Sequence, residues 1–121
     1  MKQRIAVVGN RESFTYQYVA QELDKLITKE SGDVTLISGG AVGVDSFAQE
    51  YAKKNGLKIL IIYPKYSSNV SPTLSCFIRN EQIVLESDIV VAFTKKDTGG
   101  TVNTIKWAKK HNKTIFLFGG K

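Results

Sequence analysis

Five short runs rich in β-branched and other apolar residues alternate along this chain with longer stretches of helical periodicity, and that alternation leaves few folds open. The runs are Arg4 to Val8, Asp33 to Ile37, Lys58 to Tyr63, Asp88 to Phe93 and Thr114 to Phe118. Each is nearly continuous in apolar residues, the pattern of a strand buried on both faces of a parallel sheet. Between them Tyr18, Val19, Leu23, Leu26 and Ile27 recur at intervals of three and four, as do Val44, Phe47, Ala48, Tyr51 and Ala52, which predicts two amphipathic helices. A third helix is predicted over Leu74 to Leu85. A fourth is predicted over Thr101 to His111, where Lys109, Lys110 and His111 suit the negative helix end. Ser31-Gly32 and Asn55-Gly56 read as helix stops.

The expected fold is therefore α/β, a doubly wound, mostly parallel five-stranded sheet of Rossmann-like type. A length of 121 residues buries one core but not two, so a single domain is expected. Right-handed crossovers favour the strand order 3-2-1-4-5, with 2-1-3-4-5 as the rival. The long connection from Pro64 to Thr73 is too polar for a core and reads as a flap.

Composition narrows the function classes. The chain is 42% hydrophobic and 23% charged, an ordinary globular balance, and no apolar run approaches the roughly 18 residues of a membrane span. Met1-Lys2-Gln3-Arg4 leads straight into a strand-like segment rather than a signal peptide, so a cytoplasmic protein without a membrane partner is expected. Cys76 and His111 are the only residues of their kinds, which excludes an internal disulfide framework and any cysteine-based zinc cluster. No metal and no cofactor are expected. A formal charge of +6 favours anionic partners such as nucleotides or nucleic acid.

On an open parallel sheet, ligands sit at the carboxyl ends of the strands near the reversal of strand order, which directs attention to three loops. After the first strand comes Gly9-Asn10-Arg11, a sharp turn with a planar cation for phosphate. After the second comes Ser38-Gly39-Gly40-Ala41-Val42-Gly43-Val44-Asp45, whose glycines allow close approach while the following helix start offers free amides to an anion. It lacks the Gly-Lys-Ser/Thr ending of a P-loop, and Ser38 stands where a dinucleotide fingerprint has its first glycine. After the fourth come Thr98, Gly99, Gly100 and Thr101, a second helix start with hydroxyls beside it. Arg79 and Asn80, on the third helix, are candidates for a phosphate or ribose contact, although Arg79 equally suits a stem laid over the core. Asp45 either caps its helix, holds Gly39-Gly40 in shape, or accepts a ribose hydroxyl.

Together these motifs resemble the SLOG superfamily of Rossmann-like proteins, whose branches include DprA/Smf-like and YspA-like proteins and the related Lonely Guy phosphoribohydrolases. Ser38 to Asp45 is similar to the Ser-Gly-Gly-Ala-x-Gly-Ile/Val-Asp signature of the DprA and YspA branches. Gly9-Asn10-Arg11 resembles their Gly-Ser-Arg, Arg79-Asn80 their arginine-asparagine pair, and Gly100 to Thr104 their Gly-Ser/Thr-x-x-Thr. The resemblance implies one SLOG/DprA-like domain over residues 1–121, with these segments lining a pocket for a nucleotide-like or phosphate ligand. Glu81 departs from the second arginine of the DprA motif. Lys106 or Thr104, depending on alignment, stands where Lonely Guy enzymes carry a catalytic glutamate. Neither can act as a carboxylate, so the residues favour binding over catalysis, leaving Asp45 and Glu81 as the nearest acids.

Three readings follow. The first is a nucleotide or nucleotide-derivative binder, with a nucleotide-like small molecule as partner. The second is a DprA-like single-stranded DNA binder in DNA processing, with Tyr63, Tyr66 and Phe77 as stacking platforms. The third is a nucleotide N-glycosidase of the Lonely Guy kind. Trp107 and Tyr51 serve either a core or the face of a homo-oligomer.

Overall fold

A computed structural model of the protein describes residues 2–9, 14–28, 32–40, 43–94 and 100–119. Of the residues singled out above, Asn10, Arg11, Ser31, Ala41, Val42, Thr98 and Gly99 lie outside the described residues.

The elements run β1 (Lys2–Gly9), α1 (Tyr16–Leu26), β2 (Asp33–Ser38), α2 (Val44–Asn55), β3 (Lys58–Ile61), α3 (Pro72–Glu86), β4 (Ile89–Phe93), α4 (Gly100–Lys110) and β5 (Thr114–Phe118). The five strands form one all-parallel sheet in the order β3-β2-β1-β4-β5, the first of the two orders expected. β3 stops at Ile61, two residues short of the expected end.

Strand alternation divides the core in two. Ile5 and Val7 of β1, Val34 and Leu36 of β2, and Val91 and Phe93 of β4 face α1 and α2, where they meet Val19, Leu23, Val44, Ala48 and Tyr51. Ala6, Val8, Ile37, Val90 and Ala92 face the other way and meet Ile83 and Val84 of α3 and Ala108 of α4. Double burial therefore holds for the inner strands and fails at the edges. Leu60 in β3 is 39% exposed and Leu117 in β5 is 60% exposed, because an edge strand has one neighbour and each face carries only two helices. Tyr51 is core, not an outer face, and Trp107 packs partly buried against the second cluster.

Local chemistry sets the helix ends. Thr15 and Ser71 cap α1 and α3 with hydroxyls that accept from the amides of Tyr18 and Leu74, and Pro72 opens α3 where no amide is needed. α2 ends on Gly56 in the left-handed conformation, as Asn55-Gly56 suggested.

The phenol of Tyr51 donates to Asp24 at 2.6 Å and so ties α2 to α1. Burial first, then this bond, raise its pKa well above the ordinary tyrosine value. A raised value in the folded state means stability is complete below the ordinary tyrosine range and is lost as pH climbs through it. Tyr51→Phe is expected to cost about 1 kcal/mol in urea unfolding at neutral pH and to remove part of that alkaline loss.

Candidate functional site

The chain runs outward from β1 to β3 and then returns to β4, with α1 and α2 on one face and α3 and α4 on the other, so the connections leaving β1 and β4 diverge at the reversal of strand order, where open α/β sheets bind ligands. Gly9 ends β1 opposite Phe93, the end of β4. A Cβ at Gly9 would stand 2.7 Å from the Phe93 carbonyl oxygen and 2.7 Å from Cγ2 of Val44, the first residue of α2. Only glycine admits both neighbours. This is a packing requirement, and it seats the start of α2 directly over the strand end.

The loop between β2 and α2 is held by its own first residue. Ser38 is fully buried; its hydroxyl accepts from the Gly40 amide and donates to the Asp45 carbonyl, each at 3.2 Å. Gly40 takes φ +75 with the Tyr63 ring lying on it, and Gly43 takes φ +82, both in the region that favours glycine. Gly43 occupies the capping position and offers no side-chain oxygen. Asp45 sits inside the first turn, where its negative charge suits the helix start. Its Oδ2 lies 3.0 Å from where a Cβ on Gly39 would stand.

Arg79 and Asn80, neighbours on α3, connect this loop to the start of α4. The Arg79 Nη1 donates to the Gly39 carbonyl at 2.8 Å and to the Ile62 carbonyl at 3.4 Å, and its Nε donates to Asn80 Oδ1 at 3.0 Å. Asn80 is 5% exposed, and its Nδ2 donates to the Gly100 carbonyl at 3.3 Å and to Asn103 Oδ1 at 3.1 Å. Gly100 also accepts from the Thr104 hydroxyl, and Thr101 beside it is nearly buried. The Arg79 head group is thus engaged by protein oxygens rather than turned free to solvent. Three of its five donor hydrogens are fixed by protein oxygens, while Nη2 has no hydrogen bond to a described residue. A guanidinium held this way presents a rigid two-donor edge, suited to oxygens carrying negative charge.

The outer wall is the connection from β3 to α3. It folds back through a bridge between Ser67 and Val70, and Tyr66 Oη lies 3.7 Å from Cys76 Sγ. That contact raises the Tyr66 pKa, while the positive charge of Arg79 pulls it down. Both Tyr63 and Tyr66 are more than 60% exposed, whereas Phe77 is half-buried. Glu81 does not join them. Its carboxylate pairs with His111 Nε2 at 3.0 Å, beyond the last turn of α4 and about 16 Å along that helix from its start.

Among the described candidates, hydrogen bonds tie Gly39, Arg79, Asn80 and Gly100 in one chain and Ser38 to Gly40 and Asp45, Gly9 packs against the start of α2, and Gly43 and Thr101 stand at the starts of α2 and α4. Sequence reasoning did not single out the Ile62 carbonyl or Asn103. Thr104, set against Gly100 at helical spacing, was the one available signal for the bracing of α4. Among the described residues, no three His, Cys, Asp or Glu side chains group to hold a metal ion, and no helix is long and apolar enough to cross a membrane.

The fold is shared with solved structures of low sequence identity. DNA processing protein A from Helicobacter pylori, studied for its single-stranded DNA binding mode, superposes with a TM-score of 0.77 at 21% identity, covering 98% of this chain and 66% of that one. DNA processing protein A from Streptococcus pneumoniae gives 0.76 at 22%, covering 98% and 51%. The protein TM1055 gives 0.69 at 21%, covering 99% and 75%. This chain thus spans about two-thirds and half of the two DNA processing proteins. No curated protein matches. A family model described as "YspA, cpYpsA-related SLOG family" matches residues 3–66, a stretch holding both Gly9-Asn10-Arg11 and the loop from Ser38 to Asp45. With more than half of its length matched, the chain belongs to the YspA, cpYpsA-related SLOG family.

Proposed function

We propose that this chain, as one domain over residues 1–121, is a cytoplasmic protein that binds a nucleotide or nucleotide derivative through its phosphate. The observation that carries the reading is the Arg79–Asn80 pair. Adjacent residues fasten the turn at Gly39 and the helix start at Gly100 to one another, with the Nη2 edge of Arg79 left over between them. Helix starts and a guanidinium sharing a hollow form a site for phosphate oxygens. Asn10, Arg11, Thr98 and Gly99 complete the proposed contact set.

Calorimetric titration with nucleoside monophosphates, nucleoside diphosphates and ribose 5-phosphate tests this. Arg79→Ala is expected to weaken the tightest of them at least tenfold. Gly39→Ala should do the same with the fold intact, since its Cβ would arrive 2.7 Å from Arg79 Nη1 and displace the guanidinium. Indifference of the tightest ligand to both changes overturns the site. Assaying released base on the same samples separates capture from glycosidic hydrolysis.

A second reading, single-stranded nucleic acid, is favoured by the exposed rings of Tyr63 and Tyr66 at the rim and by the net charge of +6. Oligonucleotide affinity should then fall steeply with salt as counterions compete, and a flat response removes this reading.

A further inference from the structure

Charge is unevenly distributed along this chain. Residues 98–121 hold five lysines and no acidic residue, so five of the six net positive charges belong to them, whereas residues 1–97, with twelve basic and eleven acidic side chains, carry only one. Such segregation bears on partners rather than on the fold. Most of this charge collects on α4 and its exit. Thr101, Thr104 and Ala108 are buried, so Lys106, Lys109 and Lys110, at spacings of three and four, share the opposite, exposed face. Lys113 follows just before β5. None of these four lysines makes an ion pair with a described residue.

Helix chemistry alone does not account for the pattern. α1 and α2 each set an acid one turn before a lysine, Glu22 with Lys25 at 3.4 Å and Glu50 with Lys54 at 2.9 Å, whereas α4 has no acid at all. Glu81 of the neighbouring α3 is taken by His111, and Asp88, which precedes the pair of Ile89 with Thr114, accepts the Arg4 amide. The negative helix end favours Lys109 and Lys110, but that effect fades beyond the last turn, where Lys106 stands. Like charges at these spacings repel one another. The surface also lies away from Arg79, because α4 begins at Gly100, which Asn80 holds, and the lysines crowd toward its far end, beside the amino end of β5.

We propose that Lys106, Lys109 and Lys110, with Lys113, form an anion-binding surface separate from the Arg79 site, and that it holds the phosphodiester backbone of a nucleic acid. Three ammonium groups rise from about 6 Å of helix, and a nucleic-acid strand carries a negative charge about every 3.4 Å. A bilayer fits less well, since the apolar side of α4, with Ile105, Trp107 and Ala108, is packed on the second core cluster and cannot insert. The surface stands whether or not a nucleotide binds beside Arg79.

Fluorescence anisotropy with a labelled single-stranded oligonucleotide and its duplex, between about 50 and 200 mM salt, tests this. The triple variant Lys106→Gln, Lys109→Gln, Lys110→Gln should lose at least tenfold in affinity at the lower salt, and its log–log salt slope should become shallower by about 2–3. A control triple, Lys25→Gln, Lys53→Gln, Lys58→Gln, removes the same charge from exposed positions elsewhere and should lose less than threefold. Circular dichroism checks that each variant is folded. Arg79→Ala should bind both oligonucleotides as the wild type does, and the α4 triple should keep its affinity for ribose 5-phosphate wherever the wild type has one. Equal losses in the two triples mean that net charge acts without regard to place, and overturn the proposal. So does a wild type that binds neither oligonucleotide at about 50 mM salt while binding phosphatidylserine vesicles or polyglutamate, or binding nothing. Loss of oligonucleotide binding in Arg79→Ala but not in the α4 triple also overturns it, and leaves the Arg79 site standing.

Discussion

Gly9→Ala is expected to lower folding stability by about 3 kcal/mol, at the top of the usual range for an overpacked core, and to lower Tm by roughly 10 °C. The added methyl has no route out. On one side it meets the carbonyl oxygen of Phe93, backbone fixed by the pairing of β1 with β4; on the other it meets Cβ and Cγ2 of Val44, which is wholly buried at the first turn of α2. Relief requires either parting two central strands or lifting α2 from the sheet. Gly56→Ala is the control, because a Cβ there meets nothing within 4 Å and the cost reduces to its left-handed backbone, about 1 kcal/mol. Urea unfolding of the two variants side by side checks the contrast. Equal losses would mean that Gly9 is retained for its backbone freedom rather than for space.

That contrast shows what a sequence of this kind exposes and what it hides. The apolar runs of β1, β2 and β4 were legible because a strand covered on both faces has to be apolar at every position, and Ile5 to Val8 is so. The same pattern misled at the edges. Ile59, Leu60, Phe116 and Leu117 are as apolar as any inner-strand residue, yet all are exposed, since composition does not record whether a strand has neighbours on both sides. The end of β3 was read too far because Ile62 and Tyr63 continue the apolar run, although the strand stops at Ile61 and the chain turns away toward Pro64.

The site was legible as a set of positions and less so as a set of roles. Glycines mark Gly39, Gly40, Gly43 and Gly100, but a buried polar side chain in a glycine-rich loop looks the same from sequence whether it faces a ligand or braces the backbone. Ser38 spends its hydroxyl on Gly40 and Asp45. Asn80 spends its amide on Arg79, Gly100 and Asn103. Both brace the backbone from within. Glu81, sequence neighbour of this pair, leaves the site altogether because His111 offers it a partner across α3 and α4. Long-range pairings of that kind leave no periodic trace.

Asn80 is where these arguments meet, and replacing it should produce the largest combined effect. Asn80→Leu keeps an interior side chain of similar length and removes every hydrogen bond, leaving Arg79 Nε and the Asn103 side chain without their partner. The expected loss is roughly 2–3 kcal/mol of stability, with ligand affinity down at least tenfold at temperatures where the variant remains folded. Asn80→Asp divides the two functions of the side chain. One carboxylate oxygen still accepts from Arg79, but the other replaces Nδ2 and faces the Gly100 carbonyl and Asn103 Oδ1 at 3.1–3.3 Å, oxygen against oxygen. Arg79 keeps its support while α4 loses its tie and the site gains a negative charge, so unchanged affinity is the outcome that reports on the helix start. Titration of both variants with ribose 5-phosphate and nucleoside monophosphates, beside urea unfolding, reads the two effects separately. If Asn80→Asp binds as the wild type does while Asn80→Leu does not, the start of α4 contributes nothing to the ligand, and the site contracts to Arg79 and the loop from Ser38 to Asp45.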